Sequence, residues 1–186
     1  MPFTLPEFWL IKCNFGQNFK KMKKILVFLF AVISLSCSQA QKNSFSKEAL
    51  SEKLLSTDGS QVAFKDILKQ YKGKTLVIEV WASWCGDCVK AMPKIKELQA
   101  NNPGIAYLFL SMDRTAESWK TGIEKHELKG DHFMANDQMK GVFAKAIDLD
   151  WIPRYIIVDK TGKIVLYRAI ETDFEKINSV LKELNK

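Results

Sequence analysis

Residues 80–93 read VWASWCGDCVKAMP, from Val80 to Pro93, with Cys85 and Cys88 three positions apart. Just before them, Thr75–Ala82 (TLVIEVWA) is almost continuously apolar and rich in β-branched residues, the pattern of a central strand covered on both faces. Only Glu79 interrupts it. Just after them, Val89, Met92, Ile95 and Leu98 recur at helical spacing. That helix should end near Asn101, before Pro103-Gly104, and Pro93 inside it should bend it. Ile105–Met112 (IAYLFLSM) follows as a second buried strand. Strand, helix and strand in this order imply a parallel βαβ unit with a right-handed crossover.

The same reading extends to both sides. Asp58-Gly59 lies between apolar segments and signals a hairpin, followed by a short helix over residues 65–71. Residues 41–52 are polar and read as a loose linker. Asp113 to Asn136 reads as a helix (about 117–126), a loop and an extended piece at His132–Met134. Another helix is expected over 137–146. Residues 151–168 (WIPRYIIVDKTGKIVLYR) give two strands around a turn at Asp159–Gly162. Thr172 and Glu175 stand in capping-box spacing at the last helix, whose apolar stripe is Phe174, Ile177, Val180, Leu181 and Leu184. The total is an α/β fold with a mixed central sheet and helices on both faces.

The 186 residues carry a formal charge of +7, which is unevenly placed. Residues 1–40 hold five lysines against Glu7, a net +4, and residues 41–186 hold 23 basic and 20 acidic side chains, a net +3. No basic stripe appears in the body, so no nucleic-acid partner is expected. Met22 opens the layout of a secretory signal: Lys23 and Lys24, an apolar run from Ile25 to Leu35, then small and polar residues. The run is too short to span a bilayer. Residues 1–21 fit no such layout and read as an extension upstream of the true start. Processing has two routes. Cleavage after Ala40 is the better match, and lipidation of Cys37 is the other, although Leu35 stands one place late for it. Both export the domain, to the periplasm or to a lipid anchor in it.

Export leaves Cys85 and Cys88 as the cysteines of the folded body. A disulfide-stapled scaffold needs more pairs, and a structural zinc site needs about four ligands. His126 and His132 have no ligand spacing to the cysteines and read as surface or satisfied polar residues. No metal or cofactor is expected. A C-x-x-C pair opening the helix of a βαβ unit reads instead as a redox centre. There, backbone N–H groups and the helix dipole stabilise a thiolate on Cys85, and Cys88, one turn on, can reach it. Gly86 is read as letting the chain turn tightly beside the sulfur.

The stretch Lys72–Cys88 (KGKTLVIEVWASWCGDC) resembles thioredoxin-fold proteins, most of all the exported TlpA/ResA-type thiol-disulfide oxidoreductases. The likeness runs over about residues 54–186. It implies a thioredoxin-like domain over 53–186 with an extra N-terminal hairpin and, at Asp113–Asn136, a helix–strand insertion. Pro93 matches the family's bend-making proline and Glu79 its buried acid. Ile152-Pro153 matches its cis-proline loop. The resemblance implies that Cys85 attacks, Cys88 resolves, Glu79 relays a proton and Pro153 sets the Ile152 backbone beside the sulfurs. Trp84, Gly86, Asp87 and Ile152 would meet the substrate, while Trp119, Phe133 and Trp151 read as core. Partners would be protein thiols and disulfides and a membrane thiol donor. Asp87 departs from the Gly-Pro of thioredoxin. An acid beside a thiolate disfavours its ionisation, so a less acidic Cys85 and a reducing potential are expected, as in a reductase of cytochrome c maturation. A disulfide oxidase or isomerase of the same fold and a Cu(I)-binding module remain the alternatives.

Overall fold

The computed structural model describes residues 42–185. The readings of the start site, the signal and Cys37 lie outside the described residues. Seven strands form one sheet in the order β2-β1-β5-β4-β3-β6-β7. β3 (Leu76–Trp81) lies near its centre and is buried along its whole length. It pairs in parallel with β4 (Ala106–Ser111), and β4 pairs in parallel with β5 (Asp131–Ala135). On its other side it pairs antiparallel with β6 (Arg154–Val158), which continues to β7 (Ile164–Ala169). The N-terminal hairpin of β1 (Lys53–Ser56) and β2 (Gln61–Ala63) joins the far edge through β5. The mixed sheet, the hairpin and the inserted helix–strand unit thus match the expected α/β, thioredoxin-like architecture.

Helices cover both faces. On one, α3 (Gly86–Asn101), α4 (Ala116–His126) and α6 (Phe174–Leu184) pack. Lys94 of α3 stands 5.4 Å over the Phe174 ring of α6, and Lys96 pairs with Glu127 at the end of α4. On the other face, α2 (Phe64–Lys69) meets α5 (Val142–Ala146) through the edge-to-face rings of Phe64 and Phe143.

Three local expectations are corrected. Residues 41–52 are not all loose: α1 (Lys47–Ser51) is capped by Ser46, buries Ala49, and follows Phe45, whose ring packs on Phe64. A helix this short gains its stability from tertiary packing rather than propensity. The folded body therefore begins before residue 53. The helix expected over 137–146 is broken into a 3-10 turn (Gln138–Lys140) and α5, because Gly141 is extended and the Asp137 carboxylate accepts the Val142 N–H. The capping box of α6 does not form. Asp173 is the N-cap, and its carboxylate turns back to accept the Ile170 N–H instead. As the spacing of Val89, Met92, Ile95 and Leu98 implies, α3 runs through Pro93 as one helix, in which Pro93 has no N–H for the Val89 carbonyl.

Candidate active site

The chain leaves β3 at Trp81, turns through Ala82–Trp84 and enters α3 at Cys85. Cys85 is itself the N-cap, and its sulfur accepts the Cys88 N–H at 3.2 Å. This is the position that serine or aspartate usually fills. A helix N-terminus thus points a free donor and its positive end at the sulfur. Cys85 and Cys88 form a disulfide with Cα atoms 5.3 Å apart. Cys88 is fully buried, whereas Cys85 keeps 7% of its surface. The pair is therefore asymmetric: solvent and partners reach only the first sulfur.

The entry turn is held from β4. Asp113, 1% exposed, lies just past that strand. Its carboxylate accepts the Ser83 N–H at 3.0 Å, the Ser83 hydroxyl at 2.6 Å and the Ser111 hydroxyl at 2.8 Å. Gly122 of α4 closes the other side. A Cβ there would come within 2.7 Å of the Ser83 Cβ. Asp113 escapes the sequence, because its partners lie 30 and two residues away and no local pattern announces them.

The Ile152–Pro153 bond is cis, as the resemblance implies, and the Ile152 carbonyl oxygen stands 3.5 Å from Sγ of Cys85. A cavity of about 380 Å³ opens on the first sulfur, bounded by Trp84, Gly86, Asp87, Met139, Trp151 and Ile152. Trp84 and Trp151 are 57% and 53% exposed, two of the three large apolar side chains left open among the described residues. Trp151 is thus a groove wall, not core; Trp119 and Phe133 are buried as expected. The Asp150 carboxylate beside it is tied to both Arg154 and Arg168, which anchors the loop carrying Trp151. Asp87 pairs with Lys90 at 3.2 Å. Gly86 is not required by the backbone: its φ is not positive, and an added Cβ would meet nothing within 4 Å.

Glu79 is not a wall of the cavity. It lies in β3 with 2% exposure, its register partner in β6 being Tyr155. The Tyr155 hydroxyl donates to Oε1 at 3.4 Å, while Oε2 has no hydrogen-bond partner. Burial pushes the Glu79 carboxyl up to about 8, and the Tyr155 bond opposes only part of that. The Tyr155 ring packs on Phe174. Glu79 therefore belongs to the sheet face covered by α3 and α6, the face on which α3 buries Cys88.

The histidines build no metal site. His132 stacks on Phe109 with centroids 4.9 Å apart, its Nε2 lies 3.1 Å from the Leu128 carbonyl, and burial holds its pKa down. Among the described residues no group of three or more His, Cys, Asp or Glu side chains is placed to hold a metal ion, and no helix is long and apolar enough to cross a membrane.

A dithiol whose one sulfur is reachable and whose other is sealed can take up and return two electrons as a disulfide couple. On this sheet it defines a thioredoxin-like thiol-disulfide oxidoreductase. The family model described as Redoxin matches residues 40–183, and the chain belongs to that family. The thiol-disulfide oxidoreductase ResA of Bacillus cereus is 26% identical over 149 residues, which cover 79% of this chain and 82% of the relative. A solved thiol-disulfide oxidoreductase from Bacteroides fragilis superposes with a TM-score of 0.61 at 27% identity, covering 71% of this chain and 95% of its own. A solution structure from Bacteroides vulgatus, also described as a candidate thiol-disulfide oxidoreductase, gives 0.61 at 30% identity, over 80% and 93%.

Proposed function

We propose that the protein is an exported thiol-disulfide reductase that keeps cysteines of other exported proteins reduced, as in cytochrome c maturation. The reading rests on one observation above all. The reachable sulfur of Cys85 sits between a helix N-terminus and the Ile152 carbonyl, at the mouth of an apolar groove. In the reduced protein the Cys85 thiolate attacks a substrate disulfide, forming a mixed disulfide and releasing one substrate thiolate. Cys88 gives its proton to the Glu79 carboxylate and attacks Cys85. The second substrate sulfur leaves as a thiolate, and two electrons have passed to the substrate. A thiol donor at the membrane returns two electrons and two protons to the Cys85–Cys88 disulfide.

An extended substrate segment lies along the Ile152 backbone, with Trp84, Trp151 and Met139 as walls for its side chains. Export follows from the signal read at residues 22–40, which delivers the domain to the periplasm, soluble or anchored at Cys37. The direction of electron flow is tested by the equilibrium potential of the pair, with Cys85→Ser and Cys88→Ser as controls. A value near about −270 mV supports a reductase, and one near about −120 mV makes the protein a disulfide donor.

A further inference from the structure

The Glu79 carboxyl is held unsymmetrically. Oε1 takes the hydroxyl of Tyr155, and Oε2, equally buried, takes nothing. A buried acceptor oxygen without a partner is rare in native proteins and points to a role beyond packing. Both residues are almost wholly enclosed, and their backbones are register partners in β3 and β6, so the bond is built into the sheet rather than made by a mobile side chain.

The surroundings offer Oε2 no other occupation. None of the ion pairs among the described residues includes Glu79. β4 places Phe109 opposite it. α3 contributes Cys88 to the same layer, and its Lys94 is spent over the Phe174 ring. Burial first, then the Glu79 carboxylate and, before α6, Glu171 all push the Tyr155 hydroxyl away from ionisation. Tyr155 therefore stays a neutral donor, and the one titratable proton it serves is that of Glu79.

We propose that Tyr155 is a positioning residue of the redox centre: its hydroxyl pins Oε1 of Glu79 and leaves Oε2 as the atom that takes and returns the Cys88 proton. The inference rests on the reading of Glu79 as a proton relay. In the resolving step, the Cys88 S–H bond breaks and its proton goes to Oε2. The Cys88 sulfur then forms the S–S bond to Cys85, and the bond from Cys85 to the substrate sulfur breaks, with the electron pair leaving on the substrate. Tyr155 keeps its proton throughout. A hydroxyl that donates to a carboxylate favours its charged form, so Tyr155 also keeps more of Glu79 in the base form that this step needs.

The test follows oxidation of the reduced full chain by oxidised glutathione in stopped flow. The resolving step is resolved from the attack step, over pH 5–10, in the native protein, Tyr155→Phe, Glu79→Gln and the double variant. Tyr155→Phe is expected to slow resolution about tenfold at pH 7 and to move its pH midpoint up by about one unit, the loss of one hydrogen bond to a charged group. Above that midpoint the two proteins converge. In the Glu79→Gln background the Tyr155 change adds nothing further. A Tyr155→Phe midpoint equal to the native one overturns the inference, as does a loss that is the same at every pH. If Glu79→Gln itself neither slows resolution nor removes the midpoint, the relay reading falls first. If it does both while Tyr155→Phe does neither, only the Tyr155 inference falls. Should Tyr155→Phe fail to fold, 3-fluorotyrosine at position 155 supplies the opposite sign. As a stronger donor it is expected to move the midpoint down, and an unmoved or raised midpoint overturns the proposal.

Discussion

Replacing Glu79 by Gln should change how stability depends on pH more than it changes stability at any one pH. Burial raises the folded-state carboxyl to about 8 from an ordinary 4.5, so the folded protein holds a proton that the unfolded chain releases. At acid pH, below the unfolded value, both states are protonated and the group is neutral in the balance. As pH rises past 4.5 the unfolded state ionises alone, and stability falls until the folded group ionises near 8. The slope is about 1.4 kcal/mol per pH unit, which sums to about 4 kcal/mol between pH 5 and pH 9. Glu79→Gln removes this loss. It adds a pH-independent penalty of about 1–3 kcal/mol for an amide whose donors find no acceptor. The variant should therefore be the less stable protein near pH 5 and the equal or more stable one near pH 9. The crossing is the signature. The assay is urea denaturation of the oxidised protein, in which neither cysteine titrates, at intervals of half a pH unit. At roughly 3 °C per kcal/mol for a domain of this size, thermal melting should show a swing of about 12 °C in the difference between the proteins. Parallel curves for the two proteins would refute the reasoning, because they would mean that Glu79 is ionised in the fold at neutral pH.

Three further outcomes are expected. Trp151→Ala should slow reaction with a disulfide-bonded peptide about tenfold, the scale of one lost aromatic contact in a groove. It should leave the equilibrium potential and the reaction with oxidised glutathione unchanged; equal slowing of both disulfides would remove Trp151 from the groove. Asp113→Ala strips acceptors from the Ser83 N–H, the Ser83 hydroxyl and the Ser111 hydroxyl. It should destabilise the domain by about 3 kcal/mol in urea, with loss of hydrogen-exchange protection at the Ser83 amide; an unchanged amide would refute the clamp. Gly122→Ala pushes a Cβ to 2.7 Å from that of Ser83 and 3.1 Å from the Trp81 ring. Overpacking of this kind should cost about 1–3 kcal/mol, read as a lower melting temperature together with a slower attack by Cys85.

The elements that the sequence made legible are those with a strong local signal. β3 and β4 are unbroken apolar runs, and α3 carries its periodicity across Pro93, so the βαβ unit and the cysteines at its helix start could be placed. Glu79 stood out because a carboxylate is costly to bury in a strand that is otherwise apolar, and Ile152-Pro153 through its resemblance to a cis-proline loop. What could not be read depends on distant partners. An aromatic such as Trp151 is most often core; here Arg154 and Arg168 hold Asp150 and keep the next residue at the groove. Helix α1 looked like a linker because its support comes from packing on α2, not from its own composition. The break at Gly141 needs the Asp137 side chain, and a Cβ at 141 would run into it. Tyr155 looked like one more strand aromatic until the register set it opposite Glu79.

The weight that Asp87 carries in setting the direction of electron flow also changes once its neighbours are known. Read alone, an acid between the two cysteines opposes a thiolate on Cys85. In the fold its carboxylate is partly exposed and paired with Lys90 across one turn of α3. Water, salt and the ammonium group all weaken its field at the sulfur. The interactions that favour the thiolate are shorter-ranged and better shielded: the Cys88 N–H aimed at the sulfur, and the N-terminal end of a 16-residue helix. The charge of Asp87 thus adjusts the couple rather than deciding it. A reducing couple needs its disulfide favoured over the dithiol, and the term that the fold controls most firmly is the state of Cys88. That thiol is fully buried, in the layer that also holds a carboxyl kept protonated to about pH 8. On the proposed relay, Oε2 of Glu79 is the atom that takes the proton of that thiol. The accessible half of the centre governs what is attacked; the sealed half is where the proposed relay of Glu79 and Tyr155 acts.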